Sequence, residues 1–554
     1  MAHGRSPREV AFLLVDFQGG AAFAPLAGLP HVAGITTDLD ARLTRRAVES
    51  LRAELVRRER ILLDSRVRSI DELAPGHLAR LVVVVDEYAA LVAAAPELHE
   101  VFADIAARGR SLGMHLILCT QRPSGVVRDA VLANIGLRIA LRVTDRADST
   151  AVLGGDDAAR LPAEPRGRAL VHHDGATHEL QVALAGPGDV TAAGAAAGRA
   201  EPPSVPWCDP LPRELDAALL PPAASGELGF GIMDLPAQQR QPLAAYRPAA
   251  DGSLLVLGGP GAGVTTALAM LADAAKAAGR PVRVLSPEPA DAWAALSAPL
   301  ASRTVVIADA LDALLARFGP DERQEAAGML TALMRDGSAA LVAGARRIDG
   351  EIGRLAGQFG SRLVLRMASR EDHVMAGADA ASWDPSRSPG SGLWRGAETQ
   401  VARRAGFHLP APDRPAAERV NPESHPVLAV VATRPAEWAP RLAAAGWRVV
   451  ELAPGAQADA APAAPAALLG DPDAWGAAWA IASRARREWS IAFVGCAASD
   501  HRALIPGGAT PPPLGADPRE CWLVAGGRTV RAVLEVPEGL DGTHENEAKT
   551  AAHD

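Results

Sequence analysis

Five consecutive apolar residues, Leu81-Val-Val-Val-Val85, run straight into two carboxylates, Asp86-Glu87. A run that short, β-branched and free of polar alternation is a strand buried on both faces. Such strands belong to parallel sheets covered by helices on either side. The surrounding chain repeats the theme. Strands are expected at residues 10–15, 114–120 and 137–143, and helices at 38–62 and 97–110. The first helix carries Leu43, Ala47, Leu51 and Leu55 at helical spacing. The many arginines between them read as a solvated face rather than a nucleic-acid contact. A second unit has strand signals at 253–258, 281–285, 304–308, 340–343 and 362–367, and a third at 427–433, 447–452, 466–469 and 490–496. The fold class is α/β, with mainly parallel sheets in tandem domains.

The bounds expected are 1–190 for a first domain, 191–226 for an Ala/Gly/Pro-rich linker, 227–410 for a second domain and 425–540 for a third. A mobile polar tail is expected at 541–554, and a mobile Ala/Pro run at 460–465. At roughly 150 residues per domain, 554 residues suit three or four such units. A net charge of −9 argues against coating nucleic acid through bulk positive charge, though not against a local basic channel. Cys119, Cys208, Cys496 and Cys521 have no paired spacing, so neither a disulfide framework nor a zinc site is expected; a reducing cytosol fits. No apolar run approaches the 18 or so residues of a membrane span, so a soluble chain is expected.

Two places carry chemistry. In the second unit a strand leads into Gly258-Gly259-Pro260-Gly261-Ala262-Gly263-Val264-Thr265 and then a helix. This is the strand, glycine loop and helix start of a phosphate cradle, in which backbone N–H groups surround an anion. Thr265 would ligate magnesium, but Val264 stands where the phosphate-binding lysine belongs. A glycine-rich turn without nucleotide is the alternative. In the first unit, Asp86 and Glu87 end a buried strand, where α/β folds place function. Asp86 would hold magnesium through water and Glu87 would act as general base; an acid pair at a helix N-terminus is the plainer option. Gln121, in Thr120-Gln-Arg-Pro123, is a candidate sensor of the outer phosphate, or part of an ordinary polar loop. His172-His173 is expected at a strand edge rather than on a metal.

The first two units look like copies. Adding 224 carries Arg138-Ile-Ala-Leu-Arg142 onto Arg362-Leu-Val-Leu-Arg366, Arg122 onto Arg346 and Gln121 onto Ala345. The second strand at 304–308 ends in Asp309-Ala310, without the base. Lysine, base and sensor are thus all replaced in the second unit, which reads as a degenerate copy.

With Asp16-Phe-Gln-Gly-Gly20, Val84-Val-Asp-Glu87, Gly109-Arg-Ser-Leu-Gly-Met-His-Leu116, Thr120-Gln-Arg-Pro123 and Asp145-Arg-Ala-Asp-Ser149, the first 175 residues resemble the FtsK/SpoIIIE family of P-loop motor ATPases. The similarity is closest to the multi-domain actinobacterial members, including the EccC ATPases of type VII secretion. Residues 226–405 resemble a second, degenerate domain of that type. The resemblance implies tandem RecA-like P-loop NTPase domains, with degenerate second and third copies. It implies ATP and Mg2+ as cofactors and a homo-oligomeric ring. It also implies a cytoplasmic location, peripheral at the membrane through a membrane-anchored partner. Asp86 and Glu87 match the Walker B pair and Gln121 the sensor. Arg110, Arg138 and Arg142 are candidates for the arginine that completes a neighbour's site. Gln18 and Thr150 depart from the family pattern.

The function implied is a motor subunit coupling ATP binding and hydrolysis to translocation of double-stranded DNA. Two alternatives stand beside it: a type VII secretion motor moving protein substrates, and a non-catalytic regulatory or substrate-docking module. The spacing of the second unit places the first unit's phosphate loop before Met1. An N-terminally truncated motor, weak or inactive alone as an ATPase, is therefore expected.

Overall fold

The computed structural model describes residues 1–16, 22–37, 41–94, 96–126, 129–197, 208–406, 408–452 and 463–537. The tail at 541–554, Gln18 and residues 460–462 of the Ala/Pro run lie outside them. The chain divides into two compact units, Met1–Leu211 with Asp234–Pro242, and Pro212–Met233 with Leu243–Asp554.

In the first unit β1 (Val10–Asp16), β2 (Val32–Thr37), β3 (Arg80–Asp86) and β4 (Met114–Leu118) form a parallel sheet in the order β2-β1-β3-β4. Helices α1 (Ala41–Asp64), α2 (Tyr88–Ala94) and α3 (Glu97–Leu112) accompany it. Leu51 and Leu55 of α1 join Leu13, Val83 and Val85 of the sheet and Phe102 of α3 in one core. The strand at β2 carries Gly34 and two threonines and was not foreseen. A separate antiparallel sheet holds β5 (Leu137–Leu141), β6 (Arg168–His173) and β7 (Ala176–Gln181). His172 and His173 end β6, and His172 Nδ1 lies 3.0 Å from the Thr177 hydroxyl. Part of the expected linker is helical, at Pro187–Ala196.

Two arginines of α1 correct the solvated-face expectation. Arg58 is 2% exposed and Arg46 is 7% exposed. Arg58 donates to Glu54 at 2.5 Å and to the carbonyls of Ala79 and Leu112. Arg46 pairs with Asp234 at 2.6 Å, and Gln239 donates to Glu54 at 3.0 Å. The segment Asp234–Pro242, remote in sequence, therefore seals the polar seam along α1 within this unit.

In the second unit a nine-stranded sheet comprises β8 (Leu228–Met233), β9 (Leu243–Tyr246), β10 (Leu254–Leu257), β11 (Val282–Val284), β12 (Val305–Ala308), β13 (Ala340–Ala345), β14 (Ser361–Leu365), β15 (Ser391–Trp394) and β16 (Ala397–Val401). Its order is β11-β12-β13-β10-β14-β15-β16-β8-β9; the first five strands are parallel and the rest antiparallel. Helix α4 (Val264–Ala277) follows β10 and packs Leu268 and Leu271 onto Leu254 and Val256.

A seven-stranded sheet follows, with β17 (Glu418–Val420), β18 (Val427–Ala432), β19 (Arg448–Glu451), β20 (Ala466–Gly470), β21 (Ser490–Val494), β22 (Glu520–Ala525) and β23 (Arg528–Leu534) in the order β17-β23-β22-β21-β18-β20-β19. This sheet has two strands fewer than the previous one: the place held there by β13 between β12 and β10 has no counterpart, and the far edge carries a single parallel strand, β17, in place of the antiparallel β8 and β9. β18 lies directly between β20 and β21, and the antiparallel β22 and β23 continue from β21 as β15 and β16 do from β14. The sheet has closed over the missing position.

Burial by itself pushes the Glu54 carboxyl up, but hydrogen bonds and charge from Arg57 and Arg58, with Gln239, outweigh it and hold the group below the usual carboxylate range. Its folded value lies below its unfolded one, so its contribution is full above about pH 4.3 and is lost as pH falls through the lowered value. Arg58→Leu removes one of the two guanidiniums that hold this buried carboxylate, leaving it to Arg57 and Gln239, and is expected to cost about 1.5–3 kcal/mol at pH 7. Denaturant melts at pH 7 and pH 3 check this, with the difference from wild type shrinking at the lower pH.

Candidate functional site

The carboxyl ends of β1 and β3 put two acids side by side, because Asp16 and Asp86 are register partners in the parallel ladder. Asp16 is buried and accepts the Ala22 N–H at 3.1 Å; Asp86 is half-buried at the rim. Glu87 follows with φ of 55°, a left-handed conformation that costs a side-chain-bearing residue about 1–2 kcal/mol. Its neighbours hold it there. The Tyr88 N–H donates to the Cys119 carbonyl at 2.7 Å, and the Tyr88 hydroxyl lies 2.7 Å from His99 Nδ1 in the core. Thr120 donates its hydroxyl proton to Glu87 Oε1 at 3.2 Å. Gln121 is the next residue and is exposed. The structure thus gathers Asp86, Glu87 and Thr120 at one sheet end, with Gln121 on the adjoining loop.

The second unit repeats this backbone without the acid. Ala310 follows Asp309 with φ of 50°, so Asp86 corresponds to Asp309 and Glu87 to Ala310. The ladders pair Val85 with Leu118 and Ala308 with Ala343. Gln121 therefore falls on Arg346, not on Ala345. The constant offset of 224 fails here because β3 and β4 each slip by one residue; it is restored at β5, where Leu137 falls on Ser361.

The three arginine candidates separate. Arg138, half-buried, donates to the carbonyls of Leu132 and Val152 at 3.1 and 3.5 Å. Its counterpart Arg362 donates to Ala356 and Ala376, the matching carbonyls, at 3.2 and 3.1 Å. These guanidiniums cap helix ends in both copies. Arg110, in the last turn of α3, and Arg142, at the end of β5, are exposed. Arg366, the counterpart of Arg142, donates to the Pro260 carbonyl at 3.3 Å and to that of Arg387 at 3.0 Å, placing a positive charge on the glycine loop.

That loop joins β10 to α4. Gly258, Gly259 and Ala262 donate their N–H groups to Ala345, Arg366 and Gly259, and Pro260 has none. The amides that open α4, from Gly263 to Thr266, are those a helix leaves without an intrahelical acceptor. Gly263 has φ of +97°, and a Cβ there would meet the Gly390 nitrogen at 2.9 Å. A side chain at Gly258 would press on Val264, and so would one at Gly344, so Val264 lies folded onto the sheet end instead of reaching into the loop. The Thr265 hydroxyl donates to Asp309 Oδ2 at 2.9 Å. Open amides, a guanidinium and a hydroxyl–carboxylate pair suit a phosphate with a hard cation. Asp16, Asp309 and Arg366 were not singled out from sequence. Asp16 opens the Asp16-Phe-Gln-Gly-Gly20 motif, and the +224 register pairs Arg366 with Arg142.

Residues 1–125 match the sequence model of the FtsK/SpoIIIE family. The ESX secretion system protein YukB of Bacillus subtilis (strain 168) is 28% identical over 318 residues, which cover 48% of this chain and 21% of YukB. The type VII secretion system protein EssC of Staphylococcus aureus (strain NCTC 8325 / PS 47) is 39% identical over 163 residues, 28% of this chain and 11% of EssC. The chain thus spans about a fifth or less of these relatives. The cytoplasmic domain of the type VII secretion ATPase EccC from Thermomonospora curvata superposes with a TM-score of 0.70 at 18% identity, over 97% of this chain and 90% of that one. ATPases 2 and 3 of the same EccC, in complex with a signal sequence peptide, give 0.54 at 20% identity over 73% and 84%. The fold is that of tandem P-loop ATPase domains.

The Cys119 thiol is pushed up, by partial desolvation first and then by the Asp86 and Glu87 carboxylates. Asp86→Asn and Glu87→Gln are each expected to raise the alkylation rate of Cys119 at pH 8 several-fold, because more thiolate forms. Mass spectrometry of the labelled peptide reads this, and an unchanged rate in both variants would show that the carboxylates do not face the thiol.

Proposed function

We propose that this chain, whose amino-terminal domain belongs to the FtsK/SpoIIIE family, is the ATPase portion of a type VII secretion motor that acts on protein substrates. The observation that carries the reading is the Asp86–Glu87–Thr120 group at the end of a parallel sheet, in a chain whose curated relatives are secretion proteins. Protein cargo replaces double-stranded DNA as the main reading, since both relatives are secretion-system proteins. No helix among the described residues is long and apolar enough to cross a membrane.

ATP, with Mg2+, supplies the phosphoanhydride whose cleavage drives such a motor. The chain's own residues divide the remaining work. In the second domain the α4 amides and Arg366 would hold phosphate oxygens, and Thr265 with Asp309 would hold the cation. In the first domain Asp86 would hold the cation through water, Glu87 would take a proton from the attacking water, and Gln121 would orient it. Arg142 and Arg110 are the arginines free to serve a neighbouring subunit in a ring. A second reading, a regulatory and substrate-docking role for the later domains, is favoured by Val264, Ala310 and Arg346, which replace lysine, base and sensor. The signal sequence peptide held by ATPases 2 and 3 of EccC supports that docking role.

Three measurements test this. Fluorescence anisotropy is expected to show saturable binding of a secretion-signal peptide and only weak, salt-sensitive binding of duplex DNA; the reverse would return the DNA motor. Val264→Lys is expected to tighten ATP·Mg2+ binding about 10- to 100-fold, the worth of a charge-assisted contact of about 1.5–3 kcal/mol. Where turnover is measurable, Glu87→Gln should lower it by about 10²–10⁴-fold, and unchanged turnover would remove Glu87 as the base.

A further inference from the structure

We propose that Arg531 is a positioning residue that joins the third domain to the second so that the two move as one body, and that this joint responds to occupancy of the second domain's phosphate loop. The second half of the inference rests on the nucleotide site proposed above.

The joint is a carboxylate–guanidinium lock inside the second compact unit. Arg531 of β23 donates through Nε and Nη2 to Glu520 of β22, on its own sheet, and through Nη1 to Asp291 of the second domain at 2.7 Å. All three side chains are withdrawn from water: Arg531 is 16% exposed, Asp291 14% and Glu520 6%. One guanidinium between two acids leaves a negative charge in excess. Arg414 of the connecting segment balances it, with Nε 3.8 Å from Asp291. A group this dry is screened little by salt, and the planar fork fixes direction as well as distance. A further ion pair between these domains, Arg502 with Asp321, is exposed and contributes far less.

The connecting segment is itself built into the second sheet. β11 is the outer edge strand there, and the Asp413 N–H donates to the Val284 carbonyl on that strand at 2.9 Å. In the first domain the corresponding strand, β1, has a whole strand, β2, beside it. In the second, the chain on its way to the third domain takes that place at Asp413. Arg283 of β11 fixes it, with Nε 3.5 Å from the Asp413 carboxylate.

The elements that Arg531 grips lead to the phosphate loop. Asp291 lies in the first turn of α5 (Pro289–Ser297). Arg283 holds the far end of α5 by the Ala295 and Ala298 carbonyls at 3.0 and 3.2 Å. At its start the Pro287 carbonyl and the Glu288 carboxylate accept from Arg317 at 2.8 and 2.7 Å. Trp293 of α5 packs on Phe318, with ring centroids 6.2 Å apart. Arg317 is the last residue of α6 (Leu311–Arg317), which begins directly after Asp309-Ala310. Asp309 in turn accepts the Thr265 hydroxyl proton at the loop. Two short helices, packed together and fixed by directional bonds, thus separate Arg531 from the Thr265–Asp309 pair. Close-packed elements of this kind transmit strain, so a shift of Asp309 on binding phosphate with its cation is passed to Asp291 and the joint.

Hydrogen exchange on the full chain tests both halves. Asp291→Ala cuts the lock on the second domain's side and leaves Arg531 with Glu520, so the third sheet keeps its own pair. Asp291→Glu is the conservative control. Without ligand, Asp291→Ala is expected to speed exchange of the Asp413 amide at least tenfold, with the amides of β12 and β21 unchanged and Asp291→Glu close to wild type. With ATP·Mg2+ at saturation, the wild type is expected to slow several-fold both at residues 263–266 and at Asp413, whereas Asp291→Ala slows at the loop alone. An Asp413 amide indifferent to Asp291→Ala overturns the rigid joint. Protection of the loop without protection at Asp413 in the wild type, or protection of both in Asp291→Ala, overturns the coupling alone. No protection of the loop would sink the proposed nucleotide site and the coupling together, while the rigid joint is decided by the measurement without ligand.

Discussion

A strand in the middle of a parallel sheet can satisfy its backbone N–H and C=O groups only through neighbours on both edges, because helices seal both faces against water. Everything else in this chain follows from how each sheet meets that requirement. The second domain meets it with a complete set, and its glycine loop emerges between two strands that hold the loop amides by Ala345 and Arg366. The third meets it by closing up around an absent strand. In the first, β4 and β5 stand in separate sheets among the described residues. The same ladder that imposes the requirement also aligns Asp16 with Asp86, so acids collect at a sheet end without any dedicated contact between them.

The two copies keep one backbone frame under different side chains. Glu87 and Ala310 share a left-handed backbone, although alanine gains nothing from it. The frame is imposed by the strand end and the helix start, and the side chain is a passenger. Conversely, Val264 changes only one residue of the loop, yet its branched side chain lies back on the sheet end and leaves the loop's charge to Arg366.

Much of this was legible from residue order alone. Leu81–Val85 and Leu254–Leu257 are apolar throughout because both faces are covered, and runs of that kind admit few other structures. The glycine loop was legible because positive φ and close approach at Gly263 tolerate no side chain. Other features depended on partners far away in sequence. Arg46 and Arg58 look like solvent residues until Asp234 and Gln239 are brought to α1. The opposite one-residue slips of β3 and β4 are invisible to a gapless register, which pairs Gln121 with Ala345 where the ladders pair it with Arg346. Asp16 could be seen as part of a motif, but its burial comes only from its place in the ladder. β2 is short, with a glycine and threonines, and exists because β1 needed an outer neighbour.

The paired clamps of Arg138 and Arg362 carry a mechanical meaning. Each guanidinium grips two carbonyls that belong to separate turns of chain, one just before its strand and one in or just after the helix beyond it. A planar, permanently charged fork of this kind resists shear better than apolar contact, since sliding by a fraction of an ångström breaks directional bonds. Strand and flanking helices are thereby made into a single lever arm. A displacement applied at the loop after β4 would meet the same stiff joint in both copies, whichever residue, Glu87 or Ala310, stands at the neighbouring strand end.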